Sequence, residues 1–234
     1  NVIKRRAKFL SLPLSTNNGQ SMLTFDFLKM DVKKSKLTAE VIMKYLKSSS
    51  RIQIKTDAGT DLTLMKRGRM PGFFNGVTAD GGGFSSASIE VYIPVEECGT
   101  NGTMVIDGSL GYIGAAREDT RVVFKEGRIV EIEETPTGKR LKEYMEGYHD
   151  SGIYVAGELG IGLNSYSQCA GRCYIEDESA YGTFHIGLGR NIALGGTHEA
   201  NGHFDLVAKE PNLFADNRQL IQQGRIIIPE PVFF

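Results

Sequence analysis

The stretch GTFHIGLGRNIALGGTHEANGHFDLV, residues 182–207, holds three of the four histidines of the chain, and its two ends alternate with a period of two. In GTFHIGLG (182–189), Phe184, Ile186 and Leu188 fall on one side, and His185 falls on the other between Thr183 and Gly187. In HFDLVA (203–208), His203 and Asp205 share one face while Phe204 and Leu206 take the opposite one. Successive side chains of a strand point to opposite faces, so both ends read as half-polar strands.

The same period extends through most of the chain. RIQIKT (51–56), DLTLM (61–65), SIEVYIPV (88–95), GTMVIDGS (102–109) and RVVFKEGRIVEIE (121–133) alternate or carry short β-branched runs between Gly and Asn turns, and Lys125-Glu126-Gly127 predicts a hairpin. Strand character returns in GIYVAGELGIG (152–162) and GRIIIP (224–229). Two stretches break the pattern. LTAEVIMKYLKSSS (37–50) repeats Leu37, Val41, Ile42, Tyr45 and Leu46 at helical spacing, with Thr38 as the expected N-cap and Glu40 near the positive end of the dipole. GKRLKEYMEGY (138–148) predicts a second helix. The sum is an α+β, sheet-rich domain with few helices. The expected organisation is an N-terminal linker and helix over 1–50, a remnant of a larger N-terminal domain, followed by a metal-binding α+β domain over 51–234. The start at Asn1 rather than Met suggests trimming or a fragment. The Gly- and Ser-rich PGFFNGVTADGGGFSSAS (71–88) reads as one long connection, either a mobile lid or a plain surface loop.

With 234 residues and 41% hydrophobic residues the chain can bury a sizeable core. Its 27 basic and 28 acidic residues are well mixed and sum to −1, which provides no footprint for nucleic acid or an anionic membrane and suits a small-molecule or peptide substrate. No apolar run is long enough to span a bilayer, and the N-terminus lacks a convincing signal peptide, so the expected location is cytoplasmic. Cys98, Cys169 and Cys173 are too few for a disulfide framework, and the CAGRC spacing of the last two matches no common zinc knuckle. The glycines of GELGIG do not have the dinucleotide-fingerprint spacing.

Glu158 lies in an apolar, glycine-rich strand with no nearby base. A buried lone carboxylate costs several kcal/mol or protonates, so it needs a cation from elsewhere in the fold. Glu90 lies opposite the apolar face of Ile89, Val91 and Ile93 and points to a site or to solvent. Each such residue alone reads more readily as a turn or solvated position. Together, Glu90, Glu158, His185, His203 and Asp205 form an N and O donor set suited to Zn²⁺, Mn²⁺, Co²⁺ or Fe²⁺, as one ion or a pair. His198 is a further candidate, with a supporting or substrate-facing role.

These motifs, in the order AGTDLTL (58–64), IEVYIPVEECGTNGTMVIDGS (89–109), GELGIGLN (157–164), GTFHIGLG and HFD, resemble the aminopeptidase T family of metallopeptidases over about two-thirds of the chain. The resemblance implies a co-catalytic two-metal site at Glu90, Glu158, His185, His203 and Asp205. It also marks a departure, because the family's catalytic tyrosine, seven residues after the first metal histidine, is Ile192 here. The wider superfamily includes a non-haem iron dioxygenase acting on dihydroxypyridine. That enzyme is similar in its H-x-D arm but has a His and Ser combination where this chain has Glu158 and His185.

The leading expectation is a metal-dependent hydrolase of the aminopeptidase type, holding one or two Zn, Co or Mn ions. A metal-activated water would attack a small peptide or amide, with Glu90 or Glu158 ligating and shuttling the proton. The alternatives are a mononuclear Fe(II) ring-cleaving dioxygenase with His203, Asp205 and His185 as its two-histidine, one-carboxylate set, and a non-catalytic relative that keeps the fold. A homo-oligomer, most simply a dimer, is expected from the resemblance and from the apolar tail at Val232, Phe233 and Phe234.

Overall fold

The computed structural model describes residues 7–11, 17, 19–78 and 84–228, with Phe84 described by its backbone alone. In chain order the elements are β1 (Phe9–Ser11), α1 (Val32–Ser48), β2 (Arg51–Lys55), β3 (Asp61–Met65), β4 (Gly72–Asn75), β5 (Phe84–Ser86), β6 (Ile89–Pro94) and β7 (Asn101–Ile106). They continue as β8 (Thr120–Lys125), β9 (Arg128–Ile132), α2 (Pro136–Glu146), β10 (Ala156–Gly162), α3 (Tyr174–Ser179) and β11 (Thr183–Gly189). The last are β12 (His203–Lys209), β13 (Asn212–Ala215), β14 (Arg218–Gln222) and β15 (Arg225–Ile226).

Two antiparallel sheets make the α+β body. One has the order β15-β14-β13-β2-β3-β7-β8-β9 and the other β12-β11-β10-β6-β4, while β1 and β5 form a short parallel pair. The five-stranded sheet realises the alternation read at 182–208. Ile89, Val91, Ile93, Leu159, Ile161, Phe184, Ile186, Leu188, Phe204 and Leu206 all face one side. There they join α1 (Ala39, Ile42, Leu46) and the eight-stranded sheet (Ile52, Ile54, Leu62, Leu64, Val122) in one buried cluster. Each such side chain contributes about 1.5–3 kcal/mol by burial, which fixes the register of the sheet and thereby what its other face carries.

Three local readings are corrected. Helix α1 starts at Val32, where Asp31 Oδ1 accepts from the amides of Lys33 and Lys34 at 2.9 and 3.0 Å. Thr38 sits inside the helix, its hydroxyl turned back to the Lys34 carbonyl at 3.1 Å, and Glu40 is past the first turn. The 71–88 segment is not one connection, because β4 pairs with β6 from Gly72↔Tyr92 to Asn75↔Ile89 and β5 follows; residues 79–83 lie outside the described residues. Helix α3, which has no apolar period to announce it, stands between β10 and β11. The predicted hairpin joins β8 to β9, with Glu126 and Gly127 at φ 49° and 80°, the positive values a two-residue turn between twisted strands requires. The three cysteines are free thiols. Among the described residues no helix is long and apolar enough to cross a membrane, and the tail at 232–234 lies outside them.

Candidate metal centre

The polar face of the five-stranded sheet alternates ligand-type side chains with glycines. Across the strands Glu158 pairs with Gly187 and Gly187 with Asp205, while Gly160 pairs with His185. A methyl group at Gly160 would sit 1.9 Å from His185 Nε2, and one at Gly187 would sit 2.8 Å from both Glu158 Oε2 and His203 Cε1. The glycines of GELGIG and GTFHIGLG are therefore clearances into which an imidazole and a carboxylate fold over the sheet.

All five sequence-predicted residues are brought together. Their ligand atoms form two groups, Glu90–Glu158–His185 and Glu158–His203–Asp205, each with atoms within 4.8 Å of one another and with Glu158 common to both. His185 Nε2 is 3.0 Å from Glu90 Oε2, and His203 Nε2 is 3.2 Å from Glu158 Oε2 and 3.4 Å from Asp205 Oδ1. Ser88 Oγ donates to Glu90 Oε1 at 2.8 Å. His203 Nδ1 lies 3.0 Å from the Arg190 carbonyl, which can only accept, so Nδ1 carries the hydrogen and Nε2 faces the carboxylates. The expected set of His203, Asp205 and His185 is not one of the groups among the described residues. Glu158 lies in line with Asp205 across the gap at Gly187, whereas His185 sits opposite Val207.

The electrostatics are those of a buried site rich in carboxylates. Glu90, Glu158, His185 and Asp205 are buried, and His203 is half-buried. Burial pushes the Glu158 carboxyl up, with Glu90 and Asp205 adding to it against the pull of His203. Burial opposes charge on His185, yet Glu90, with Asp205 and Glu158, raises it to about 9; Asp205 and Glu158 likewise hold His203 well above its usual value against burial. Asp205 is lowered, its burial outweighed by His203 and His185. Glu90 Oε2, His185 Nδ1 and Asp205 Oδ1 are buried with no aligned hydrogen-bond partner. Orphaned acceptors converging beside a correctly oriented imidazole fit a divalent cation, which would replace the protons that now balance the carboxylates.

These groups floor a cavity of 420 Å³ whose walls include Phe74, Tyr112, Tyr174, Ile175 and Leu194. Phe74 stacks on Tyr92 at 4.7 Å, and the Tyr112 and Tyr174 rings are 4.2 Å apart. Burial raises both phenols of the latter pair, which stay protonated. Glu178 also lines the cavity, and burial, then Glu90 and Asp205, raises its carboxyl well above the usual range. Sequence reasoning missed it, because three acidic residues in a row (176–178) look like a solvated surface. His198 has no place in the ligand groups: its Nε2 is 2.9 Å from the Gly152 carbonyl, pinning a loop. Ile192, at the position of the aminopeptidase T family's tyrosine, is exposed in a 3-10 turn.

Three comparisons bear on what this centre belongs to. The family described as NicX, 2,5-dihydroxypyridine 5,6-dioxygenase, matches residues 26–228. The 2,5-dihydroxypyridine 5,6-dioxygenase of Pseudomonas putida is 24% identical over 214 residues, covering 86% of this chain; the chain spans 60% of that relative's length. The solved structure of the P. putida 2,5-dihydroxypyridine dioxygenase superposes with a TM-score of 0.85 at 18% identity, over 97% of this chain and 67% of that one. AmpT from Thermus thermophilus superposes with a TM-score of 0.61 at 19% identity, over 85% of this chain and 56% of its own, so the likeness to aminopeptidase T extends to the fold. The expected metallohydrolase of aminopeptidase type is overturned by the family match, and with it the hydrolase, metallopeptidase and aminopeptidase assignments. The chain belongs to the NicX, 2,5-dihydroxypyridine 5,6-dioxygenase, family.

Proposed function

We propose that this chain is the metal-binding part of a ring-cleaving dioxygenase that uses Fe(II) and O₂ on a small hydroxylated pyridine. The observation that carries the reading is the family match over residues 26–228, and the site geometry supports it with a carboxylate-rich donor set beneath an aromatic-walled cavity. Glu158, His203 and Asp205 would hold the ion, with the Arg190 carbonyl fixing the His203 ring. Fe(II) there would supply the one-electron chemistry that O₂ needs to react with a closed-shell ring. Phe74, Tyr112 and Tyr174 present flat faces and protonated phenols that orient a planar hydroxylated ring. Glu90, held 3.0 Å from the charged His185 ring, is placed to take a hydroxyl proton, and His185 Nδ1, which has no hydrogen-bond partner, is placed to donate a hydrogen bond.

The test is anaerobic reconstitution with Fe(II), followed by O₂ uptake and loss of ring absorbance on adding 2,5-dihydroxypyridine. Stoichiometric O₂ consumption with ring loss is expected. Iron-loaded protein that takes up no O₂ with any hydroxypyridine, or that hydrolyses peptides instead, would sink the reading.

A further inference from the structure

The loop 190–202 between β11 and β12 contributes both the carbonyl that orients His203 and part of the cavity wall, through Arg190, Ala193 and Leu194. It has little apolar packing of its own, since its 3-10 turn Ile192–Leu194 buries no residue. Polar contacts hold it instead, and they converge on Glu97, just past the end of β6. Glu97 Oε1 accepts from the Thr197 amide at 2.8 Å, from Thr197 Oγ1 at 3.0 Å and from Asn191 Nδ2 at 3.1 Å. Arg69 Nη2 donates to both Glu97 oxygens, at 2.9 and 2.7 Å, and Arg69 Nη1 donates to the Gly195 carbonyl at 3.0 Å.

Asn191 carries the connection inward. It is fully buried, its Nδ2 also donates to the Gly157 carbonyl at 3.0 Å, and its Oδ1 accepts from the His198 amide at 2.9 Å. Gly157 immediately precedes Glu158, and Arg190 immediately precedes Asn191. The network therefore ties the end of the strand bearing Glu90 to the backbone beside Glu158 and to the carbonyl that sets His203.

We infer that Glu97, clamped by Arg69, is a positioning residue for the candidate metal centre: it sets the loop 190–202 and, through the Arg190 carbonyl and Asn191, the approach of His203 and Glu158 to a common ion. This rests on the metal-holding part of the proposed function and not on ring cleavage. Outer partners that orient ligands in this way typically change metal affinity 10–100-fold when removed, although they touch no metal.

The experiment titrates metal-free protein with Co²⁺, following its ligand-field absorption, in wild type, Glu97→Ala, Glu97→Gln and Arg69→Met, with amide exchange of residues 191–198 measured alongside. Glu97→Ala is expected to weaken Co²⁺ binding about tenfold or more, shift the absorption band and speed exchange in the loop, with Glu97→Gln recovering part of the affinity because it keeps an acceptor for Thr197. Co²⁺ affinity and band unchanged in the variants overturn the inference, even if the loop exchanges faster, because Glu97 then only stabilises the loop. Should Glu97→Ala fail to fold, Arg69→Met and Glu97→Gln carry the same readouts. Protein that binds Co²⁺ in this Glu97-dependent way yet cleaves no ring refutes the dioxygenase reading alone, and ring cleavage with Glu97-independent Co²⁺ binding refutes the clamp alone.

Discussion

At the scale of single residues the site depends as much on what is missing as on what is present. Gly160 and Gly187 leave the room that the His185 ring and the Glu158 carboxylate occupy. Gly160→Ala would place a methyl group 1.9 Å from His185 Nε2 and force the ring off its position. The expected result is a stability cost of about 1–3 kcal/mol from overpacking and loss of O₂ uptake on the hydroxypyridine with Co²⁺ binding retained, read by chemical denaturation, an oxygen electrode and Co²⁺ titration; lost Co²⁺ binding in a folded variant would show instead that His185 helps hold the ion. The H-x-D pair and the lone His185 were legible in the sequence because the strand period alone puts them on the polar face. Glu178 was not, since its burial comes from the cavity wall rather than from its neighbours in the chain.

At the scale of elements, caps and partners decided what periodicity could not. Asp31→Ala removes the acceptor for two amides in the first turn of α1 and should cost about 1 kcal/mol. A shift of the urea midpoint without a change in slope would confirm this, whereas an unchanged midpoint would mean that the tertiary contacts of Ala39, Ile42 and Leu46 alone hold the helix. The first turn was missed because VKKSK (32–36) has no apolar spacing, although lysine is a good helix former. β4 was missed for a related reason: Gly72–Asn75 is short and opens on the Gly of Pro71-Gly72, and it becomes a strand by adding to the edge of β6.

At the scale of the whole molecule, folding forces carboxylates and imidazoles together, so stability, pH and metal are linked. In metal-free protein burial opposes charge on His185, but Glu90 and its neighbours prevail and hold its pKa at about 9, above the unfolded 6.5. The folded state thus binds an extra proton in that window, and the contribution is complete below about pH 6.5 and lost as pH rises through about 9. Thermal melting in chelator should therefore show a fall in stability from pH 6.5 to 9. Co²⁺ at 100 times its Kd should add about 2.7 kcal/mol and flatten that fall, because an ion on Glu158 and Asp205 offsets the negative charge that holds the proton on His185. Melting curves insensitive to both pH and Co²⁺ would refute the linkage. The sequence by itself determined the sheet-rich α+β class and the side of the sheet on which the five candidate donors lie, because a period of two assigns every strand residue to a face whatever its partner. Only the tertiary structure decided that Glu158, and not His185, stands with His203 and Asp205. That grouping depends on which strands are neighbours and in what register they pair, and both are set by the long-range burial of Leu159, Ile186 and Leu206 rather than by any local pattern.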